Sequence, residues 1–358
     1  MPPGPAPRMM ALGESAAAIV TSKQPGRRSI LHGPKILQLE ERPLPPPATN
    51  EVQIAIRSTT LRGSDAHYYA HHRNGSITVK EPLCGGHEAA GVIVAVGSDT
   101  ADSKVKVGDK VAIESGVPCS LQDCSKCSKG QYNVCPNLRF RSSGAAFPHF
   151  QGTLQEYVNY PAAWVHKLPD SFGFDEGALL EPLAVCIHAA RRARIEQEQS
   201  VLMFGAGAVG MLAAAVVKIE YGARVVIVDV DSGRVDFAVA EGFADVGYTV
   251  PPRPRGETVG RFDVVLECNG VESCVQASIY AAASGGKIDS VSVWRYAHCY
   301  PRAIEIMCSV ACQGLKPDIR KLIVHRFKGL EAIPEAYDTA AKTRDAASQL
   351  VSKVVVNL

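Results

Sequence analysis

The stretch Val201-Leu-Met-Phe-Gly-Ala-Gly-Ala-Val-Gly210 constrains this chain more than any other, because an apolar strand there runs into Gly205-x-Gly207-x-x-Gly210 and on into an Ala-rich helix. A second apolar run, Arg224-Val-Val-Ile-Val-Asp229, ends in an acid about 20 residues further on, the spacing that a βαβ dinucleotide unit requires. Gly205 permits the tight turn, Gly207 lets backbone amides approach a pyrophosphate, and Gly210 lets the helix sit close to the strand. Ala208 and Val209 open that helix, where unpaired N–H groups and the positive dipole end favour a phosphate. Asp229 is placed to bond both ribose hydroxyls, which favours NAD over its 2′-phosphorylated form. Arg234 completes the cofactor-binding set.

Residues 201–217 carry no charge and come close to the ~18 of a spanning helix. The three spaced glycines and the immediate return to Lys218 and Glu220 argue against a membrane segment. At 358 residues the chain has room for two domains, each with its own core. A net charge of +2 gives no reason to expect nucleic acid or an anionic membrane as partner. The opening Met1-Pro-Pro-Gly-Pro-Ala-Pro has neither the basic flank nor the apolar core of a secretory signal, so residues 1–16 read as a disordered tail and the cytoplasm as the default location. Eleven cysteines without such a signal point to thiols and metal rather than disulfides.

Residues up to 165 read as all-β. Ile36–Glu41, Glu51–Ser58, Gly91–Val96 and Lys110–Glu114 are short, rich in Val and Ile, and separated by turn residues, as in a barrel or sandwich. From Asp175 the texture turns helical, with an acidic start, a basic end at Arg191-Arg192 and a break or kink expected at Pro182. Residues 200–290 then alternate strand and helix in the doubly wound manner, and Lys353–Val356 closes the chain as a strand. Cys119, Cys124, Cys127 and Cys135 lie within 17 residues. Four thiolates so close make a tetrahedral set suited to structural Zn²⁺, which would hold a coreless loop in shape and do no chemistry.

Together with these parts, the runs Gly63-Ser-Asp-Ala-His-Tyr68, Gly86-His-Glu-Ala-Ala-Gly91, Gln151-Gly-Thr153, Gly177-Ala-Leu-Leu-Glu-Pro-Leu183, Trp294-Arg-Tyr296 and Asp318-Ile-Arg-Lys-Leu322 resemble the zinc-dependent medium-chain dehydrogenases, in particular the fungal sorbitol, xylitol and L-arabinitol dehydrogenases. The likeness covers residues 17–358. It implies an α/β fold: a GroES-like β-barrel catalytic domain from 17–184 and 298–358, and a Rossmann coenzyme domain from 185–297. It also implies an NAD-dependent oxidation of a polyol to a ketose, usually in a homotetramer. His87, Glu88 and Glu181 match the ligands of the catalytic zinc, whose role is that of a Lewis acid on the alcohol oxygen. Ser64 resembles the hydroxyl of a proton path; Tyr68, Arg295 and Tyr296 resemble polyol contacts.

Three departures stand against that pattern. The family's ligand Cys is replaced in Leu61-Arg62-Gly63-Ser64, and a guanidinium has no electron pair for a metal. Arg62 could pair with Glu88 or Glu181 in place of the ion, Cys84 could move in as substitute ligand, or His87, Glu88, Glu181 and water could hold the metal with Arg62 swung away. After Gly285-Gly-Lys-Ile288 the chain is about 20 residues shorter than the resemblance implies, so Lys287–Trp294 is expected to form one strand where the fold has two. Cys119 and Cys124 are separated by four residues, a wider gap than the family's. Three functions follow: a polyol dehydrogenase, a silent dinucleotide-binding relative, or a metal-free reductase in which Arg62 polarises a carbonyl.

Overall fold

Period-two alternation in the strands after residue 200 decides the architecture of that half. Val201, Met203, Val225, Ile227, Val264 and Leu266 pack into one apolar cluster, while Leu202, Phe204, Val226, Val228 and Val265 pack into another. A sheet buried on both faces needs helices on both, which parallel strands with helical crossovers supply. In the computed structural model, which describes residues 26–61, 63–100, 104–250, 260–291 and 295–358, this sheet has five parallel strands. Their order is Val246–Thr249, Arg224–Asp229, Ser200–Phe204, Phe262–Glu267 and Ala282–Ser290.

Helices α1 (Gly63–His71), α2 (Phe174–Ala178), α3 (Leu180–Ala193), α4 (Ala208–Tyr221), α5 (Ser232–Ala240), α6 (Glu272–Ala281), α7 (Tyr300–Gln313) and α8 (Ile333–Ala340) follow in chain order. Buried residues of α3, α4 and α7 fill one face of the parallel sheet, and Ala281 of α6 joins the other. The second sheet has seven strands: Val165–Lys167, Lys110–Ile113, Glu88–Val96, Glu51–Leu61, Lys353–Asn357 and Ile323–Lys328 in that order, with Tyr157–Pro161 also on Glu51–Leu61. Both ends of the chain therefore build it. Its register sets Thr60 opposite Glu88 and Leu61 opposite Val354.

The expected helix after Asp175 divides at Leu179 into α2 and α3, with Pro182 in the first turn of α3, where its missing N–H costs nothing. The all-β reading of the first 165 residues needs correction, since α1 interrupts it. Asp65, Tyr68 and Tyr69 form the buried face of α1, and His67 and His71 are exposed. Their spacing of three to four is a weak helical period in so short a segment, and the flanking β runs mask it. Ala282–Ser290 is the last strand of its sheet; the expected strand Lys287–Trp294 overlaps it at 287–290 and runs on into residues 292–294, which lie outside the described residues. The tail 1–16, Arg62 and Trp294 lie outside the described residues.

Candidate active site

Glu88 opens strand Glu88–Val96 of the seven-stranded sheet, with His87 immediately before it; α3 brings Glu181 in its first turn. All three are buried, and their ligand atoms lie within 4.8 Å of one another. Asp65, from the buried face of α1, places Oδ1 3.3 Å from His87 Nδ1. The same oxygen accepts from Gly86 N at 3.1 Å and Ser142 Oγ at 2.9 Å, so the carboxylate is fixed before it meets the imidazole. The 3.3 Å approach is a charge pairing rather than an aligned hydrogen bond, and a carboxylate beside the ring is the usual outer-sphere neighbour of a metal-bound histidine. Burial alone would lower the His87 pKa, yet Asp65, Glu181 and Glu88 together raise it.

Glu88 has a second set of partners. Its Oε2 accepts from Thr60 Oγ1 and from the ammonium of Lys353, which also donates to Leu61 O at 3.3 Å. Lys353 is 2% exposed and Glu88 fully buried. Among the described residues Glu88 Oε1 has no hydrogen-bond partner. A buried carboxylate oxygen beside an imidazole and a second carboxylate is a donor group that a cation satisfies. The donor set therefore fits a metal of nitrogen and oxygen preference. It lacks the soft thiolate that favours zinc. Cys84 does not supply one: its thiol donates to Leu154 O at 3.4 Å within an apolar cluster with Ile30, Leu83 and Tyr337, and burial pushes it up to about 12.

Beside the cluster, Phe140 meets the His87 ring edge-on at 5.4 Å and carries the Arg295 guanidinium on its face at 3.6 Å. Arg295 and Phe140 form part of the wall of a cavity of about 710 Å³, completed by segment 133–139 and residues 145–147. Tyr296 is buried, and among the described residues its hydroxyl has no hydrogen-bond partner. Tyr68 is buried too, and its hydroxyl accepts from Gly144 N at 3.3 Å. Ser64 is half-buried in the first turn of α1.

In the cysteine lobe the four sulfurs stand 3.7 Å (Cys119–Cys127), 4.0 Å (Cys124–Cys135) and 3.5 Å (Cys119–Cys135) apart. Zn–S bonds of about 2.3 Å in a tetrahedron put the sulfurs about 3.8 Å apart. A disulfide needs about 2.05 Å, so these are ligand distances and all four thiols are free. The wide gap after Cys119 is absorbed in the loop. Backbone amides of Cys127 and Lys126 pull the Cys124 thiol down to about 6.

The parallel sheet builds the other half of the site. Gly205 has φ +106°, a conformation that side-chain-bearing residues rarely adopt. A Cβ on Gly210 would lie 1.9 Å from Gly205 O, whereas one on Gly207 would meet nothing within 4 Å. Close packing and an open phosphate-facing surface are thus divided between these two glycines as the motif requires. Gly207 caps α4, with Ala208 and Val209 in its first turn. Asp229 accepts from Ala206 N at 2.7 Å and Asp231 N at 3.0 Å, which aims its carboxylate and leaves lone pairs for a ribose. Arg234 lies in the first turn of α5.

Comparison with known proteins agrees with both halves. Residues 48–170 match the alcohol dehydrogenase GroES-like domain, and residues 208–313 match the zinc-binding dehydrogenase family. The sorbitol dehydrogenase of Gallus gallus is 34% identical over 87% of this chain and 92% of its own length, and that of Homo sapiens is 35% identical over the same shares. The chain belongs to the zinc-dependent medium-chain dehydrogenases. It is an oxidoreductase of that family, with sorbitol dehydrogenases among its relatives. A solved oxidoreductase of unknown specificity from Escherichia coli superimposes with a TM-score of 0.80 at 28% identity, covering 93% of this chain and 99% of its own. L-idonate 5-dehydrogenase from the same organism shares the fold, with a TM-score of 0.79 at 23% identity, covering 93% of this chain and 98% of its own. Among the described residues no helix is long and apolar enough to cross a membrane.

Asp65, Lys353, Thr60 and Phe140 are residues that sequence reasoning left unassigned. Asp65 was within reach, as it follows Ser64 in a recognised run. Lys353 was not, because nothing in the sequence links it to Glu88 before the strands are laid side by side.

Proposed function

We propose that this chain is an NAD-dependent polyol dehydrogenase that oxidises a secondary alcohol of sorbitol, xylitol or L-arabinitol to the ketose. The observation that carries this reading is the joint placement of His87, Glu88 and Glu181 beside the cavity walled by Phe140 and Arg295. The likeness to sorbitol dehydrogenases supports the substrate class. When bound, zinc would polarise the alcohol oxygen and NAD⁺ would accept the hydride from the carbinol carbon. The chain's own residues do the rest. Arg295, Tyr296 and Tyr68 orient the polyol, and Ser64 passes the hydroxyl proton toward solvent. Asp65 keeps His87 in one tautomer, and Phe140 excludes water from the imidazole. Gly207, Ala208 and Val209 cradle the pyrophosphate, and Asp229 with Arg234 takes the adenosine ribose. The four cysteines hold a structural zinc.

A second reading has its own observation. Lys353 already compensates the charge of Glu88, and Arg62 stands where the family's ligand Cys would be, so the chain could bind the dinucleotide and turn nothing over. Zinc per purified chain, by elemental mass spectrometry, separates the two. About two ions support the dehydrogenase, and about one, lost when the four cysteines are replaced, supports the silent relative.

We also read the chain as a homo-oligomer. Val271, Val275 and Ile279 recur every four residues at and along α6 and are 51%, 44% and 62% exposed; Tyr280 and Ile288 extend the apolar strip to the outer strand of the sheet. Exposed apolar side chains on an outer helix and the edge strand beside it suit a two-fold contact with a second copy.

A further inference from the structure

The segment between α8 and the last strand crosses from the seven-stranded sheet to the coenzyme half, and its folding is specified in detail. Asp345 Oδ1 accepts from Ala347 N at 2.9 Å and Gln349 N at 2.8 Å, while Oδ2 pairs with His325 Nε2 at 2.9 Å on strand Ile323–Lys328. Val351 N donates to Thr343 O at 2.9 Å and closes the loop. So anchored, the loop aims Arg344 across the boundary. Its Nη1 donates to Ser348 O at 3.0 Å, and its Nη2 lies 3.5 Å from Asp231 Oδ1. The guanidinium rests directly on Gly233, where a Cβ would lie 1.8 Å from Nη2. Asp231 and Gly233 form the turn that follows Asp229 and opens α5, and Asp231 caps that helix by accepting from Arg234 N at 3.0 Å.

We propose that Arg344 is a positioning residue for the adenosine end of the dinucleotide: carried on a loop of the seven-stranded sheet, it clamps the Asp231–Gly233 turn and so holds the ribose-binding Asp229 in register with the rest of the site. The proposal rests on the dinucleotide reading above. Gly233 has the role of leaving room for the guanidinium. An alanine there favours the helix by propensity, but its Cβ would displace the Arg344 guanidinium and also lie 3.3 Å from Asp231 Oδ1, so Arg344→Ala, which leaves the turn's own atoms in place, reads the guanidinium alone.

The test is calorimetric titration of the full-length protein with ADP-ribose, which lacks the nicotinamide and reads the adenosine end alone. The Arg344–Asp231 pair is partly exposed, with side chains 42% and 20% accessible, so its effect belongs with surface pairs. Arg344→Ala and Gly233→Ala should each raise the Kd about 2- to 5-fold. Arg344→Lys should recover part of the loss, and the melting temperature of Gly233→Ala should not fall. In turnover, KM for NAD⁺ rises and kcat holds. Unchanged ADP-ribose affinity in both alanine variants overturns the role of Arg344 and leaves the dinucleotide reading intact. Failure of the unmodified protein to bind ADP-ribose overturns both.

Discussion

Lys353→Met is the most informative single change. Lys353 and Glu88 are buried, with side-chain exposures of 3% and 0%, and the ammonium is the only cation among the described residues that pairs with this carboxylate. Removing one member of such a pair leaves an uncompensated charge and costs about 3–5 kcal/mol. For a chain of this size about 2 °C is lost per kcal/mol, so the melting temperature should drop roughly 6–10 °C. Replacing both members is a different matter. In Glu88→Gln/Lys353→Met the amide can still accept from Thr60 and no charge is stranded, so most of the loss should return. The assay is a double-mutant cycle by denaturant unfolding, in which the two changes should be non-additive by about 2 kcal/mol or more. The metal site gives a second readout: with Lys353 gone, Glu88 keeps its full negative charge beside His87 and Glu181, and zinc affinity at this cluster should rise in competition with a chelator. Additive destabilisation, or a Lys353→Met variant as stable as the parent, would refute the reasoning.

Arg62→Cys should tighten zinc binding at the His87, Glu88 and Glu181 cluster and raise the dehydrogenase rate together, since it supplies the missing thiolate; competition with a chelator beside steady-state rates checks both. Gly210→Ala puts a Cβ 1.9 Å from the Gly205 carbonyl, a backbone atom that cannot step aside. It should weaken NADH binding about 10-fold or more and lower stability, as overpacking at a close approach does; fluorescence titration and thermal melts measure the two. In chelator-stripped protein at pH 7, Cys124, with its thiol near 6, is largely thiolate and should be alkylated before any other cysteine. Cys84, pushed up to about 12 by burial, should stay unlabelled until the protein unfolds, which peptide mapping by mass spectrometry would show.

Local chemistry explains which parts were legible in the sequence. The Rossmann half announces itself because its glycines, its acid and its alternating strands have functions set by neighbours within a few residues, and Gly205, Gly207 and Gly210 each meet the surroundings the motif implies. The cysteine lobe is legible for the same reason. Helix α1 was hidden in a segment of β texture, because its buried face consists of Asp65, Tyr68 and Tyr69 rather than an aliphatic stripe. The compensation of Glu88 by Lys353 was hidden more deeply. It arises from the pairing of three strands, with Thr60 opposite Glu88 and Val354 opposite Leu61, over a separation of 265 residues. Arg344 is of the same kind, since its partner Asp231 lies on a separate sheet-and-helix unit.

The measurement that bears most directly on the central claim is NADH formation from NAD⁺ by zinc-replete protein with sorbitol, xylitol and L-arabinitol in turn. The account predicts a polyol-dependent rate that a strong chelator abolishes and added zinc restores. No rate with any of the three, from protein that still binds ADP-ribose, would contradict it and leave a dinucleotide-binding relative without alcohol chemistry.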